Sequence, residues 1–482
     1  MRKTLIGDLF SGITVGIVAL PLALAFGIAS GAGAAAGLTT AIVGGLIAGV
    51  SGSNRFQITG PTGAMTVVLV GVVAEHGVPG MLIAGLLAGS IQLGLGLLRL
   101  GRYAKLIPHD VVAGFTNGIA IVIFLGQIAN LRSAPLVAVA TIAAIVLTTR
   151  FLPKFPASLV GLLTGTGVFW LTRAVGPTVA AIPSALPTFA LPAFNLQLLQ
   201  QLLKPAIEIA LLGSIETLLS AAVADNMTRT THDPDRELIG QGLGNIAVSL
   251  VGGVPGTGAI ARTAVNIKSG GQSKLVSVVH SLVLLSVVLF LGSLATYVPL
   301  AALSGILAVT CYNMLDRESL ALMRRAPRSY TLVLLVTTAA TVALDLTIAV
   351  VIGVLLSVLL HTFARGRLSL RELADKRLPD NVSLLRVEGP IFFGNIQQIE
   401  ALGELPAQSV LLDLQQLHSI DVSGTLALQR LAERFRAEGK HLVLYGTAAE
   451  AQQLLRDLSG AEFVQDHLAD NLDLALGRIA AD

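Results

Sequence analysis

Two apolar stretches of this chain are interrupted by residues that a membrane helix tolerates least. Residues 57–65 read QITGPTGAM and residues 252–262 read GGVPGTGAIAR. Inside a helix, Gly costs about 1 kcal/mol and Pro about 3 kcal/mol relative to Ala. In hydrocarbon, each unpaired backbone group costs several kcal/mol more, so broken helices persist only where they line a cavity or bind something. The two interruptions share a tripeptide, at Thr62-Gly63-Ala64 and at Thr257-Gly258-Ala259.

The surroundings are those of a bilayer. Of 482 residues, 53% are hydrophobic and 13% charged, a membrane-protein balance. The charge is uneven: residues 1–360 carry a net +8 and residues 361–482 a net −5. The first part therefore reads as membrane-embedded and the second as water-exposed. The positive balance belongs to membrane flanks and implies no nucleic-acid partner. A single cysteine, Cys311, rules out an intrachain disulfide.

A spanning helix needs about 20 apolar residues, and about fourteen apolar segments fit, several too short to span alone. Basic residues such as Arg55, Arg99, Arg229, Arg236, Lys268, Lys274, Arg317 and Arg328 fall in alternate connections, which places both termini in the cytoplasm. An uncharged Pro-rich connection at 177–195 divides the segments into two groups of seven. An odd number per group reverses the second half. The Thr-Gly-Ala stretch sits in the third segment of each, as in an inverted repeat with two discontinuous half-helices and a midplane site.

Half-helices beginning at about Thr62 and Thr257 would present two positive dipole ends to an anion. Gly60, Gly63, Gly256 and Gly258 would let a ligand approach the backbone. The competing reading is close helix packing by small residues. Arg262, one turn beyond Gly258, is read as charge compensation for the anion, and Glu216, central in an apolar helix with Ser220 one turn on, as the coupling group. The membrane part holds no nucleophile–base pair or metal-ligand cluster, and no Walker-type phosphate loop is found, so no enzyme and no cofactor are expected.

The tail changes period. VSLLRVE (382–388), SVLLDLQ (409–415) and HLVLYG (441–446) read as strands. TLALQRLAERFRAEG (425–439) reads as a helix ending at a Gly C-cap. The expected organisation is a transport domain at 1–365, a linker at 366–380 and a small cytoplasmic α/β domain at 381–482.

ALPLALAFGIASGAG (19–33), ITGPTGAMTVV (58–68), VADNMTRTTHDPDRELIGQGLGN (223–245), GGVPGTGAIARTAVNIKSGG (252–271) and HSIDVSG (418–424) together resemble the SulP (sulfate permease) family of anion transporters, most closely its bacterial bicarbonate and dicarboxylate members. The resemblance covers essentially the whole chain. It implies a seven-plus-seven inverted repeat with a core moving against a gate in elevator fashion, a C-terminal STAS domain, and a homodimer in the bacterial inner membrane. It implies anion binding at Thr62, with Gly63 and Ala64, and at Gly258, Ala259 and Ile260 beside Thr257, with Arg262 neighbouring the anion. Glu216 and Ser220 match the Asp and Thr of a sodium site, but Ile260 replaces a hydroxyl-bearing residue of that site. A longer carboxylate in a less polar pocket suits carrying a proton. The resulting expectation is a proton-coupled symporter of a small anion such as fumarate, bicarbonate or sulfate. The alternatives are a sodium-coupled bicarbonate symporter or an anion exchanger and, further off, a nucleobase permease, an anion channel or a membrane-anchored sensor. Ser423 of the Asp421-Val422-Ser423-Gly424 signature is expected to cap the helix near Thr425, with regulation or docking of a cytoplasmic protein as its other reading.

Overall fold

The computed structural model describes residues 2–102, 108–153, 155–182, 189, 196–323, 325–344, 346–362, 368–373, 378–379 and 381–481. Most of the Pro-rich connection at 177–195, and part of the expected linker at 366–380, lies outside them.

Among the described residues, the membrane part is helical apart from two two-residue strands and the connections. Six described helical stretches are long and apolar enough to cross a bilayer, and five shorter apolar helices accompany them. Helix α1 is Arg2–Ala29; α2 (Ala34–Thr39) runs through a π-turn at Thr40–Gly44 into α3 (Gly45–Ser51). A two-residue strand β1 (Thr59–Gly60) precedes α4 (Gly63–Leu97), which is broken at Gly77, φ 66°. Then come α5 (His109–Ser133), α6 (Pro135–Phe151), α7 (Ala157–Leu171), α8 (Leu196–Thr228) and α9 (Pro234–Leu250). A second two-residue strand, β2 (Thr257–Gly258), precedes α10 (Ile260–Lys268), α11 (Leu275–Leu291) and α12 (Leu300–Met314). A short α13 (Arg317–Leu322), α14 (Arg328–Ala343) and α15 (Leu346–Thr362) complete the series.

Packing divides the chain into two compact units, Met1–Ala104 with Ile119–Leu315, and Lys105–Gly118 with Asp316–Asp482. In the first unit, small residues set the helix spacing, as lipid-embedded packing requires. A Cβ on Gly16 of α1 would come within 2.9 Å of Val283 on α11, and one on Gly89 of α4 within 2.8 Å of the Gly242 carbonyl on α9. Leu24, Leu38, Leu284 and Leu307 belong to one buried cluster joining α1, α2, α11 and α12.

The second unit holds the tail domain. Its five-stranded sheet runs in the order β3 (Ser369–Glu372), β4 (Val382–Ile391), β5 (Ser409–Ile420), β6 (His441–Tyr445) and β7 (Leu468–Ala469). Only the β3–β4 pairing is antiparallel. The three expected strands are present. Residues 369–372, expected as linker, instead supply the edge strand, paired residue for residue with 385–388. Short helices α16 (Ile396–Glu400), α17 (Val422–Ala437), α18 (Ala449–His467) and α19 (Leu472–Ala481) accompany the sheet. Leu412, Leu428, Leu431, Phe435 and Leu444 fill the core between sheet and helices. Helix α17 ends with Gly439 at φ 68° and a Lys440 N–H bond to the Phe435 carbonyl, the expected glycine stop.

Candidate functional site

The two interrupted stretches satisfy each other. Thr59 pairs with Gly258 and Gly60 with Thr257 in an antiparallel bridge, extended by the Ala259 N–H to the Ile58 carbonyl at 2.8 Å. Backbone groups that would be orphaned in an apolar interior are thus paired across 200 residues of sequence. The two strands run antiparallel, and each leads into its half-helix, α4 or α10.

Thr62 is the N-cap position of α4, as expected, with extended backbone. The second half-helix begins later than expected. Its first residue is Ile260 and its N-cap Ala259, because Thr257 and Gly258 are held extended in the bridge. Gly63 and Ala64 lie in the first turn of α4 and are buried. The Ile260 side chain at the start of α10 is 44% exposed.

The two matched threonines converge. Thr62 Oγ1 donates to Glu216 Oε2 at 2.8 Å, Thr257 Oγ1 lies 2.7 Å from the same oxygen, and the two hydroxyl oxygens are 3.1 Å apart. One carboxylate oxygen of α8 therefore joins both halves. Glu216 and Thr62 are only partly buried. Ser220, one turn on, faces elsewhere: its Oγ is 3.3 Å from Thr263 Oγ1, which accepts from the Ile58 N–H. The two residues expected as a cation pair are thus engaged with different partners.

Arg262 is buried, 2% exposed, and its Nη2 donates to the Pro61 carbonyl at 2.5 Å. Among the described residues its Nη1 has no hydrogen-bond partner and no carboxylate lies within ion-pair distance. The guanidinium occupies the space a Cβ on Gly60 would need. The glycines of both breaks are thus filled by protein rather than held open for a ligand. A Cβ on Gly63 would meet Ile123 Cδ1 at 2.6 Å, one on Gly256 the Gly60 carbonyl at 2.9 Å, and one on Gly258 the Gln57 amide carbon at 2.6 Å. At these positions small size serves close packing, and side-chain hydroxyls and the guanidinium supply the polar groups.

The second break is held by amides that carry little mark in the sequence. Asn245 Oδ1 accepts from Gly256 N–H at 2.8 Å, and Gln241 Nε2 donates to the Gly256 carbonyl at 2.8 Å. Thr40 Oγ1, at the π-turn, donates to the Val254 carbonyl at 2.6 Å, and Thr217 Oγ1 accepts from Gly258 N–H at 3.1 Å. Gln241 and Asn245 are four apart on an apolar helix, the one local signal that α9 carries a polar stripe.

A cavity of about 350 Å³ opens one turn from Thr62, lined by Thr66 of α4 and by residues of α1, α5 and α12. In the tail, Ser423 does not cap α17. The helix starts at Val422, and Asp421 is the cap: its Oδ1 accepts from Gly424 N–H at 2.6 Å and its Oδ2 from Phe393 N–H at 3.1 Å. Asp and Ser cap about equally well, but the helix begins early enough that Ser423 is its second residue and Asp421 holds the cap position. Ser423 instead lines a small crevice with Asp110, Ser329 and Tyr330.

The sulfate permease family model matches residues 5–140 and 133–337, and the STAS domain model matches residues 374–475. The chain is 37% identical to a putative sulfate transporter, YvdB, of Bacillus subtilis, over 93% of this chain and 92% of that protein. It is 33% identical to the bicarbonate transporter BicA of Synechocystis, over 96% of this chain and 92% of that protein. Among solved structures it is similar to the transmembrane domain of a cyanobacterial bicarbonate transporter BicA, at 34% identity and a TM-score of 0.66, covering 74% of this chain and 98% of that one.

Proposed function

This chain belongs to the sulfate permease family as a multi-pass membrane anion transporter with a C-terminal STAS domain, and from that premise we propose that it is a proton-coupled symporter in which Glu216 carries the proton. The carrying observation is that Thr62 and Thr257, one from each matched break, meet on a single oxygen of Glu216.

The chemistry follows from donor counting. An ionised carboxylate only accepts, so it holds both hydroxyl hydrogens and repels an approaching anion. A protonated carboxyl becomes a donor itself. It releases a threonine O–H toward the substrate and removes the opposing charge. Anion and proton then bind together more favourably than either alone, which is the coupling free energy a symporter needs. Arg262 supplies fixed positive charge, with Nη1 as its unspent donor. The positive ends of α4 and α10 add to it.

Proton coupling is favoured over sodium because Ser220 is turned toward Thr263 and the Ile260 side chain offers no oxygen. The substrate is a small oxyanion: a dicarboxylate such as fumarate, bicarbonate or sulfate. The reading is completed by a homodimer in a bacterial inner membrane, both termini in the cytoplasm, with the core helices moving against the gate as an elevator and the STAS domain available to a cytoplasmic protein.

The test is radiolabelled uptake into proteoliposomes. Fumarate and bicarbonate are compared under an inward proton gradient and, separately, an inward sodium gradient. The proposal expects proton-driven uptake. Uptake driven by sodium alone would overturn the coupling assignment and leave the anion carrier standing.

A further inference from the structure

The cavity beside α4 has one wall on α1 and α4 and another on α5 and α12. Its lining is apolar except for Thr66, Gln127, Asn130 and Ser304. Two of these have their hydroxyl hydrogens engaged. Thr66 Oγ1 donates to the Thr62 carbonyl at 2.9 Å, and Ser304 Oγ donates to Gln127 Oε1 at 2.9 Å. The second contact orients the Gln127 amide, because the carbonyl side is fixed by Ser304 and the NH₂ group is directed away from it. That nitrogen makes one long bond, 3.4 Å, to the Ile123 carbonyl of its own helix. An amide nitrogen carries two hydrogens, so among the described residues one donor remains. Gln127 is 7% exposed and Ser304 2% exposed, so the donor is held where water competes little. Asn130, three residues on and lining the same cavity, brings a second neutral amide.

A cavity that offers N–H donors and that, among the described residues, has no acidic side chain and is otherwise apolar is built for an anionic group at the end of a carbon skeleton. Its volume, about 350 Å³, is several times the bulk of bicarbonate. Thr66 places it one helical turn, about 5.4 Å, from Thr62. Resting on the reading of this chain as an anion carrier, we propose that Gln127, oriented by Ser304, is a specificity-determining residue that receives the far carboxylate of an extended dicarboxylate whose near carboxylate sits at Thr62. A one-carbon oxyanion reaches Thr62 without touching Gln127. The cavity wall then separates the two substrate classes.

The experiment measures fumarate and bicarbonate uptake side by side in proteoliposomes of the full chain, for the wild type, Gln127→Leu and Ser304→Ala. For Gln127→Leu, the KM for fumarate rises about tenfold, the loss of one hydrogen bond to a charged group, while that for bicarbonate stays unchanged. Ser304→Ala keeps the amide and removes its holder, so it raises the fumarate KM by a smaller factor, again without affecting bicarbonate. It also serves if Gln127→Leu fails to fold. An equal loss for both anions would make Gln127 a packing residue and overturn the proposal, and so would an unchanged fumarate KM. A wild type that carries bicarbonate but not fumarate would overturn it while leaving the carrier reading intact. A wild type that carries neither anion would overturn the carrier reading as well.

Discussion

Thr62 and Thr257, 195 residues apart, hold their hydroxyl oxygens 3.1 Å from each other on one carboxylate oxygen of Glu216. The two halves of the membrane part thus share a polar centre: Thr257 meets a carboxylate of its own half, and Thr62 reaches the same oxygen from the other. Replacing either by valine keeps shape and removes one donor. Thr62→Val and Thr257→Val are each expected to raise the KM for the transported anion about tenfold, the cost of a hydrogen bond to a charged group. Because both act on one oxygen, the double variant is expected to lose less than the sum of the two. A double-mutant cycle on uptake rates checks this.

Gly60 and Arg262 are coupled by space. A methyl group at Gly60 falls on the Nη1 of Arg262, and the guanidinium is too buried to move aside cheaply. Gly60→Ala is expected to mimic Arg262→Ala in transport and to destabilise the protein by about 1–3 kcal/mol through overpacking. Arg262→Lys is not expected to rescue transport, since an ammonium cannot both donate to the Pro61 carbonyl and present a second planar donor. Thermal unfolding in detergent beside uptake separates the two effects.

Much of this centre is legible in the chain, and the limits have physical causes. The matched tripeptides mark where the helices break, and an intramembrane carboxylate and arginine identify themselves by their solvation cost. The convergence of both hydroxyls on Glu216 leaves no local trace, because it joins residues 154 and 41 positions apart. The bridge between Thr59–Gly60 and Thr257–Gly258 is too short to show the alternation that reveals a strand, and it is what delays α10 to Ile260. The glycines misdirect in part. They permit close backbone approach, but protein atoms rather than a ligand take up the room. In the tail, the alternating strands and the glycine stop are plain, whereas the edge strand at 369–372 has neither length nor apolar content to announce it.

Asn245 and Gln241 hold both backbone groups of Gly256. Asn245→Leu leaves a buried N–H unpaired and is expected to cost about 1–3 kcal/mol. The measurement is the thermal midpoint in detergent, with Gln241→Leu as its companion on the carbonyl side. Substitution of the exposed Leu243 on the same helix is expected to change little.

In the STAS domain, Asp421 rather than Ser423 caps α17. Asp421→Ala is expected to destabilise the helix start by about 0.5–2 kcal/mol, and Ser423→Ala to leave it intact. Amide hydrogen exchange over residues 422–426 of the full-length protein distinguishes the two, with faster exchange in the first variant alone.

The central claim is that protonation of Glu216 frees the threonine hydroxyls for the anion. A glutamine at this position mimics the neutral carboxyl permanently. The decisive comparison is proton-driven accumulation against anion exchange, in proteoliposomes of wild type and Glu216→Gln. Glu216→Gln is expected still to exchange internal for external anion but no longer to accumulate it under an inward proton gradient. Undiminished proton-driven accumulation by Glu216→Gln would contradict the account, because the proton would then be carried elsewhere.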